Sequence, residues 1–307
     1  MTRAIACCVL AITACSEAPG ATTADAPDTP DAPDAPSGGD PCAHVPGAPT
    51  SIGVITGLPS TELSGLAASR TLPDLLWTHG DRGGAAELYS VSATNAAPHG
   101  TLRLDDATAV DWEDLATAPC PAGQCIYIAD TGDNDLDRTG VALYEVVEPT
   151  TAPIGTVDVD YTRYDVEYPD GPHDAEAVFV DPRDGRAYAI TKTPDRAAVY
   201  LLPRVTGATG LAQPIAELTI PAADPRVTAA DLAIDACSAR LLVRTYAALY
   251  ELRAASTATI AELLTSALAT MPVAAEPQGE AVAYAADGRA YYTTSEGASP
   301  TLSRVAD

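Results

Sequence analysis

From residue 51 onward the chain alternates apolar and polar residues in short stretches set off by Gly, Pro, Asp and Asn. A period of two broken by turn residues predicts β-strands with tight connections. The strands recur as a unit. Five segments begin with a small or acidic residue and run into an alternating strand: LSGLA (63–67), WEDLA (112–116), AEAVF (175–179), AADLA (229–233) and GEAVA (279–283). Aligning Ser64, Glu113, Glu176, Ala230 and Glu280 gives steps of 49, 63, 54 and 50 residues. A second strand ending in polar residues follows each: LLWTHGD (75–81), IYIADTGDN (126–134), AYAITK (187–192), LLVRTY (241–246) and AYYTTSEG (290–297). A third comes after: ELYSVSA (87–93), ALYEVVEP (142–149), AVYLLPR (198–204), ALYELRA (248–254) and TLSRVAD (301–307).

Repeats of about 50 residues made of short strands predict propeller blades. The last repeat stops after its third strand, while SIGVIT (51–56) precedes the first repeat without a partner. If that segment supplies the missing outer strand, the protein is an all-β, five-bladed β-propeller closed by an N-terminal strand, with no exposed edge. The 63-residue step leaves room for another hairpin in VDVDYTRYDVEY (157–168), so a six-bladed ring is the alternative.

Strand one runs along the axis and strand two returns, so the start of the first and the end of the second share a face. That face collects Ser64, Glu113, Glu176 and Glu280 near the axis, with His79, Asp81, Asp130, Asp133, Asn134, Lys192, Arg244 and Glu296 around them; His173 and Asp174 join before the third blade. The cysteines map to the opposite face. Cys120 and Cys125 bracket a short turn and are expected to pair, and Cys42 with Cys237 would staple the ring closure. Free thiols or a zinc site are the alternative, although Cys and His are not clustered at metal-finger spacings.

Composition narrows the setting. Of 307 residues 47% are hydrophobic, enough for a folded body, and 17 Lys+Arg against 42 Asp+Glu give a net charge of −25 that opposes nucleic-acid binding. Lys192 is the only lysine. Residues 1–14 carry Arg3 and an apolar run to Ile12, and Ile12-Thr13-Ala14-Cys15 resembles a bacterial lipobox, which implies cleavage before Cys15 and its lipidation. An ordinary secretory signal is the alternative. Ser16, where Asp would signal inner-membrane retention, favours the outer membrane. Residues 15–40 then hold the lipidated cysteine and a disordered Ala/Pro/Asp tether, and residues 41–307 form one propeller domain. The expected contact with a membrane is through the lipid alone, and the propeller is expected to be a monomer.

Three glutamates around one axis need a cation, shared protons or a basic partner. Hard oxygen donors favour calcium, with Glu113, Glu176, Glu280, Ser64 and an oxygen at Thr228 as its ligands. Acids that cap strand ends in water or pair with arginines are the alternative. The run Asp133-Asn134-Asp135-Leu136-Asp137 alternates acids without the glycine of a helix–loop–helix calcium loop. The placement of Glu62-Leu63-Ser64, Trp112-Glu113, Glu176 and Gly279-Glu280 is similar to that in five-bladed calcium-activated nucleotidases (apyrases), which implies a central calcium; Ala230 departs from that pattern. Over most of the mature chain, DWEDLA (111–116), YIADTGDN with Arg138 (127–138), RTY (244–246) and TSEG (294–297) resemble a family of uncharacterised bacterial exported lipoprotein β-propellers, which implies the fold and no reaction. No nucleophile elbow, P-loop or H-E-x-x-H motif is present. Two functions stay open. One is a recognition module whose polar face binds a small anionic molecule, a glycan or an envelope protein. The other is a calcium-dependent hydrolase of a phosphate ester, in which Lys192 and Arg244 hold the anion and His79, His173 or an acid activates water.

Overall fold

Each alternating segment is a strand, and the strands form five sheets arranged as the blades of a five-bladed β-propeller in the computed structural model, which describes residues 42–307. The signal segment, Cys15 and the tether lie outside the described residues. Blade one runs outward through β2 (Leu63–Ala68), β3 (Leu75–Gly80), β4 (Glu87–Ser92), β5 (Pro98–Leu104) and β9 (Gly155–Val159). Blade two is β6 (Trp112–Cys120), β7 (Gly123–Asp130), β8 (Val141–Val147), β10 (Thr162–Glu167) and β14 (Gly210–Leu211). Blade three is β11 (Ala175–Val180), β12 (Ala187–Thr191), β13 (Ala197–Leu202) and β15 (Gln213–Leu218). Blade four is β16 (Val227–Ile234), β17 (Ser238–Thr245), β18 (Leu249–Ala255) and β19 (Ala269–Met271), with a one-turn helix, α1 (Ile260–Leu263), before its last strand. Blade five is β20 (Gly279–Tyr284), β21 (Ala290–Ser295), β22 (Thr301–Ala306) and, antiparallel to β22, the N-terminal β1 (Thr50–Val54).

That last pairing closes the ring as the unpartnered segment demanded. The six-bladed alternative falls at the same time. The long step between blades two and three yields β9, which adds parallel to β5 at the rim of blade one, and β10, the ordinary fourth strand of blade two.

The inner strands β2, β6, β11, β16 and β20 touch in that order, and β20 returns to β2. Apolar faces meet between blades, where Trp77 and Trp112 are fully buried, and within blade three Phe179 stacks on Tyr188. Removing a ring of that kind from a packed core costs about 3–5 kcal/mol. Trp77 keeps its polar atom satisfied, since Nε1 donates to Glu148 Oε1 at 2.8 Å.

Every inner strand carries a β-bulge at the start: between Ser64 and Ala67, Trp112 and Asp114, Ala175 and Ala177, Val227 and Ala229, and Gly279 and Ala281. A bulge places two residues against one and re-aims the extra side chain. The extra residues are Glu113, Glu176, Thr228 and Glu280, so Thr228 and not Ala230 is the counterpart of the glutamates in blade four. In blade one the bulge falls on Gly65-Leu66, just after Ser64. Gly65 has φ +64°, and a Cβ there would lie 2.7 Å from His79 Nε2, so the position admits only glycine.

At the axis Asp114 is wholly buried and gathers three blades. Its carboxylate accepts the backbone N–H groups of Leu115 (2.9 Å), Val178 (3.0 Å) and Ala230 (3.1 Å), each two residues beyond the bulge residue of its own strand. Asp231 links blade four to blade five in the same way, accepting from Leu232 and Tyr284 at 2.8 and 2.7 Å.

Both expected disulfides form, Cys42–Cys237 and Cys120–Cys125. The second bridges the β6–β7 turn at the opposite end of the strands from Glu113, and Cys237 occupies the corresponding β16–β17 turn.

Candidate functional site

The bulges deliver an arc of carboxylates to one end of the axis. Glu113, Glu176 and Glu280 come from the bulges, Asp81 and Glu296 from the exits of β3 and β21, and Asp111 and Asp174 from the entries to β6 and β11. One oxygen from each of Glu113, Asp174 and Glu176 lies within 4.8 Å of the others, and the same holds for Asp81, Asp111 and Glu113 and for Asp81, Glu280 and Glu296. The triads share Asp81 and Glu113, so the arc is continuous through blades five, one, two and three. Calcium binds oxygen at 2.3–2.6 Å, so two ligands on opposite sides of one ion sit roughly 5 Å apart, and each triad is compact enough to share an ion.

Glu113, Glu176, Asp111 and Glu280 are 4, 4, 4 and 7% exposed. Asp111 Oδ1 and Glu280 Oε2 are buried and have no hydrogen-bond partner. A buried acceptor without a donor is costly, and a cation seated in its triad would satisfy each. Backbone elements hold the arc open at this spacing. Asp130 accepts the N–H groups of Val110 and Asp111, fixing the approach to β6, and receives Arg138 Nη2 at 2.9 Å. Gly132 lies against Glu113 and Asp111, and a Cβ there would overlap Glu113 Oε1.

Burial dominates the electrostatics. It pushes the carboxyl of Glu280 up to about 8 and Asp111 to about 6, raises Glu113 well above the usual range, and raises Glu176, Asp81, Asp174 and Glu296. For Glu113 and Glu280 neighbouring carboxylates add to burial, whereas for Glu176 the ammonium of Lys192 pulls the other way. Lys192 Nζ rests on Glu176 Oε1. Burial works against its charge, but Glu176 carries the ammonium above its ordinary value.

The other residues expected on this face divide. Ser64 and Thr228 stand at the inner strands, but their hydroxyls donate to Glu113 O and Gly279 O at 2.7 Å, stitching blade one to two and four to five. Their lone pairs remain as acceptors. His79 is fully buried on β3, its Nδ1 2.9 Å from Gly80 O and its ring edge-on to Trp112, so it lies beneath the face. Burial lowers its imidazole to about 4. Asp133 accepts the N–H groups of Asp137 and Arg138 at 3.0 Å, so the 133–137 run is a capped turn, and Asn134 on it is exposed. His173 sits with Asp170 and Tyr200, each 3.0 Å away, apart from the acid triads. Arg244 is buried over Gly279, where a Cβ would overlap its guanidinium, and pairs with Glu276 at 2.5 Å. Its Nε and Nη1 are buried without a hydrogen-bond partner.

The repeat alignment gave no site role to Asp111, Asp114, Arg226, Tyr246, Glu276 or Gln278, although DWEDLA holds Asp111 and Asp114 and RTY holds Tyr246. Gln278 donates to Glu296 Oε2 at 2.6 Å, holding one end of the arc. Asp111 was within reach of the repeat pattern, because it precedes the bulge residue Glu113 by two, as Asp174 precedes Glu176. No protein-family model matches the chain, and no curated protein matches it.

Proposed function

We propose that the acidic arc holds calcium and presents it, with Lys192 beside it, to an anionic ligand, making the propeller a calcium-dependent recognition domain. The observation that supports this reading most is the pair of buried, partnerless oxygens, Asp111 Oδ1 and Glu280 Oε2, inside an all-oxygen donor set. Glu113, Glu176, Glu280, Asp81 and Asp111 would supply the ligands, with Ser64 and Thr228 offering hydroxyl oxygens. The apyrase resemblance points the same way. Calcium would act as a fixed positive pole for a phosphate, carboxylate or acidic sugar. Binding is favoured over hydrolysis because neither His79 nor His173 reaches the arc; an acid with a raised pKa, such as Glu280, is the residue to examine for the calcium-dependent hydrolase reading.

The two disulfides suit an oxidising compartment. With the lipobox-like segment, we read the protein as exported and anchored by Cys15 to the cell envelope, at the outer membrane.

Thermal unfolding with calcium or chelator tests the reading. At a hundredfold excess over its dissociation constant calcium adds about 2.7 kcal/mol to the native state. Glu176→Gln should shrink that response. Glu217→Gln, in a surface pair with Arg196, should leave it intact. A melting temperature indifferent to chelator, or equal responses in the two variants, removes the calcium site.

A further inference from the structure

Blade four is the gap in the arc: its bulge residue is Thr228, and no acid of the three triads comes from it. What it brings to the same end is an aromatic ring, Tyr246, and an ion pair, Arg226 with Asp224. Tyr246 follows β17, and two cations address its ring, Lys192 Nζ from blade three at 5.4 Å and Arg226 Cζ from the entry to β16 at 5.2 Å. Arg226 is paired with Asp224 through Nε at 2.8 Å and Nη2 at 2.5 Å. Lys192 is held by Glu176 instead, and Glu176 also belongs to a triad with Glu113 and Asp174. The Lys192 side chain is 11% exposed and that of Glu176 5%, so the ammonium is shut in against a candidate cation ligand.

A dication and an ammonium on that one carboxylate repel each other strongly, since both are positive and little water screens them. The flexible four-carbon stem lets Nζ leave, and the Tyr246 face lies next to it. We propose that Lys192 is a built-in counter-ion, displaced from Glu176 when calcium enters, and that its freed ammonium joins Arg226 beside Tyr246 to receive the phosphate or carboxylate of an anionic ligand. This rests on the calcium reading and deepens it. The site is occupied in order, cation first and anion second, and the acidic protein shows an anion a positive surface only after calcium has bound.

Lys192 is the chain's only lysine, so amine chemistry reads this one side chain. The purified full-length protein in detergent is treated with an amine-acylating reagent, and the Lys192 peptide is quantified by mass spectrometry. Calcium chloride should raise its labelling rate several-fold over chelator. Phenyl phosphate should slow it again when calcium is present and leave it unchanged when calcium is absent. Calorimetry on the same sample separates the two readings. No calcium binding overturns both. Calcium binding with unchanged or slower labelling overturns the displacement alone, and faster labelling without protection by phenyl phosphate overturns the anion site. Lys192→Gln should bind calcium more tightly, because the competing cation is gone, and should lose calcium-dependent binding of phenyl phosphate. Weaker calcium binding by that folded variant, or phenyl phosphate binding equal to the wild type, would also count against the proposal.

Discussion

At the scale of single residues, one buried acid of the axis serves the fold and not the arc. Asp114 adjoins Glu113 in the chain, yet the bulge turns one toward the acidic arc and sends the other across the axis to three backbone N–H groups. Burial raises its pKa and the three donors oppose that rise. Asp114→Ala would leave those donors buried and unpaired, at about 1–3 kcal/mol for each one that finds no water. A loss of at least ~3 kcal/mol in urea unfolding is expected, with Asp114→Asn intermediate because it keeps one acceptor and adds donors that have nowhere to go. An alanine variant as stable as the wild type would mean that Asp114 does not bind the blades together. Nothing in the alternation around residue 114 distinguishes it from an ordinary strand residue, because the axial crossing depends on where Val178 and Ala230 arrive.

At the scale of elements, the sequence and the structure agree where strands repeat and part where they are irregular. The first three strands of every blade, the closing strand and both disulfides were legible, since periodicity and turn residues are local signals and the cysteines fall at equivalent turns. The rim strand β9 was not, because its pairing partner β5 lies about 50 residues upstream and in parallel. The bulges were also hidden, and aligning on sequence alone put Ala230 where Thr228 belongs. The acids of the arc were legible by type, but their grouping was not, as shown by His79, which shares their end of the blade and is folded under it. The two disulfides allow a test at this scale. In the chain-entropy treatment the Cys42–Cys237 loop, spanning 195 residues, is worth about 5 kcal/mol, and the Cys120–Cys125 loop, spanning 5, about 2 kcal/mol. Cys42→Ser with Cys237→Ser should therefore lower the unfolding midpoint more than Cys120→Ser with Cys125→Ser. It should also speed hydrogen exchange in β1 and β22, the strands that close the ring. The reverse order of stability would show that ring closure rests on β1 pairing without help from the covalent staple.

At the scale of the whole molecule, a protein with a net charge of −25 that concentrates buried carboxyls at one end of its axis should have its stability governed by what neutralises them. Glu280 holds its proton up to about 8 in the fold, against about 4.5 for a free glutamate, and burial raises Glu113 as well. A group raised in this way contributes stability that is fully present below its unfolded value and is lost as pH rises through its folded one. Asp111 and Asp231, raised to about 6, act in the same direction lower down. His79, lowered to about 4, acts oppositely: its contribution is present above about 6.5 and is lost as pH falls toward 4. Between pH 6.5 and 8 the His79 contribution is therefore complete, and the glutamates set the slope. In chelator, stability should fall across that window by an amount on the order of 2 kcal/mol, since a single carboxyl that stays protonated in the fold loses about 1.4 kcal/mol per pH unit and its neighbours titrate with it. On the calcium reading the ion would replace the protons, so it should stabilise more at pH 8 than at pH 6 and release protons on binding, measurable as a dependence of the binding heat on the ionisation enthalpy of the buffer. Glu280→Gln should remove part of the slope in chelator and part of the proton release together. Stability that is flat or rising with pH in chelator would show that the arc is already ionised and compensated in the free protein, leaving calcium no protons to displace.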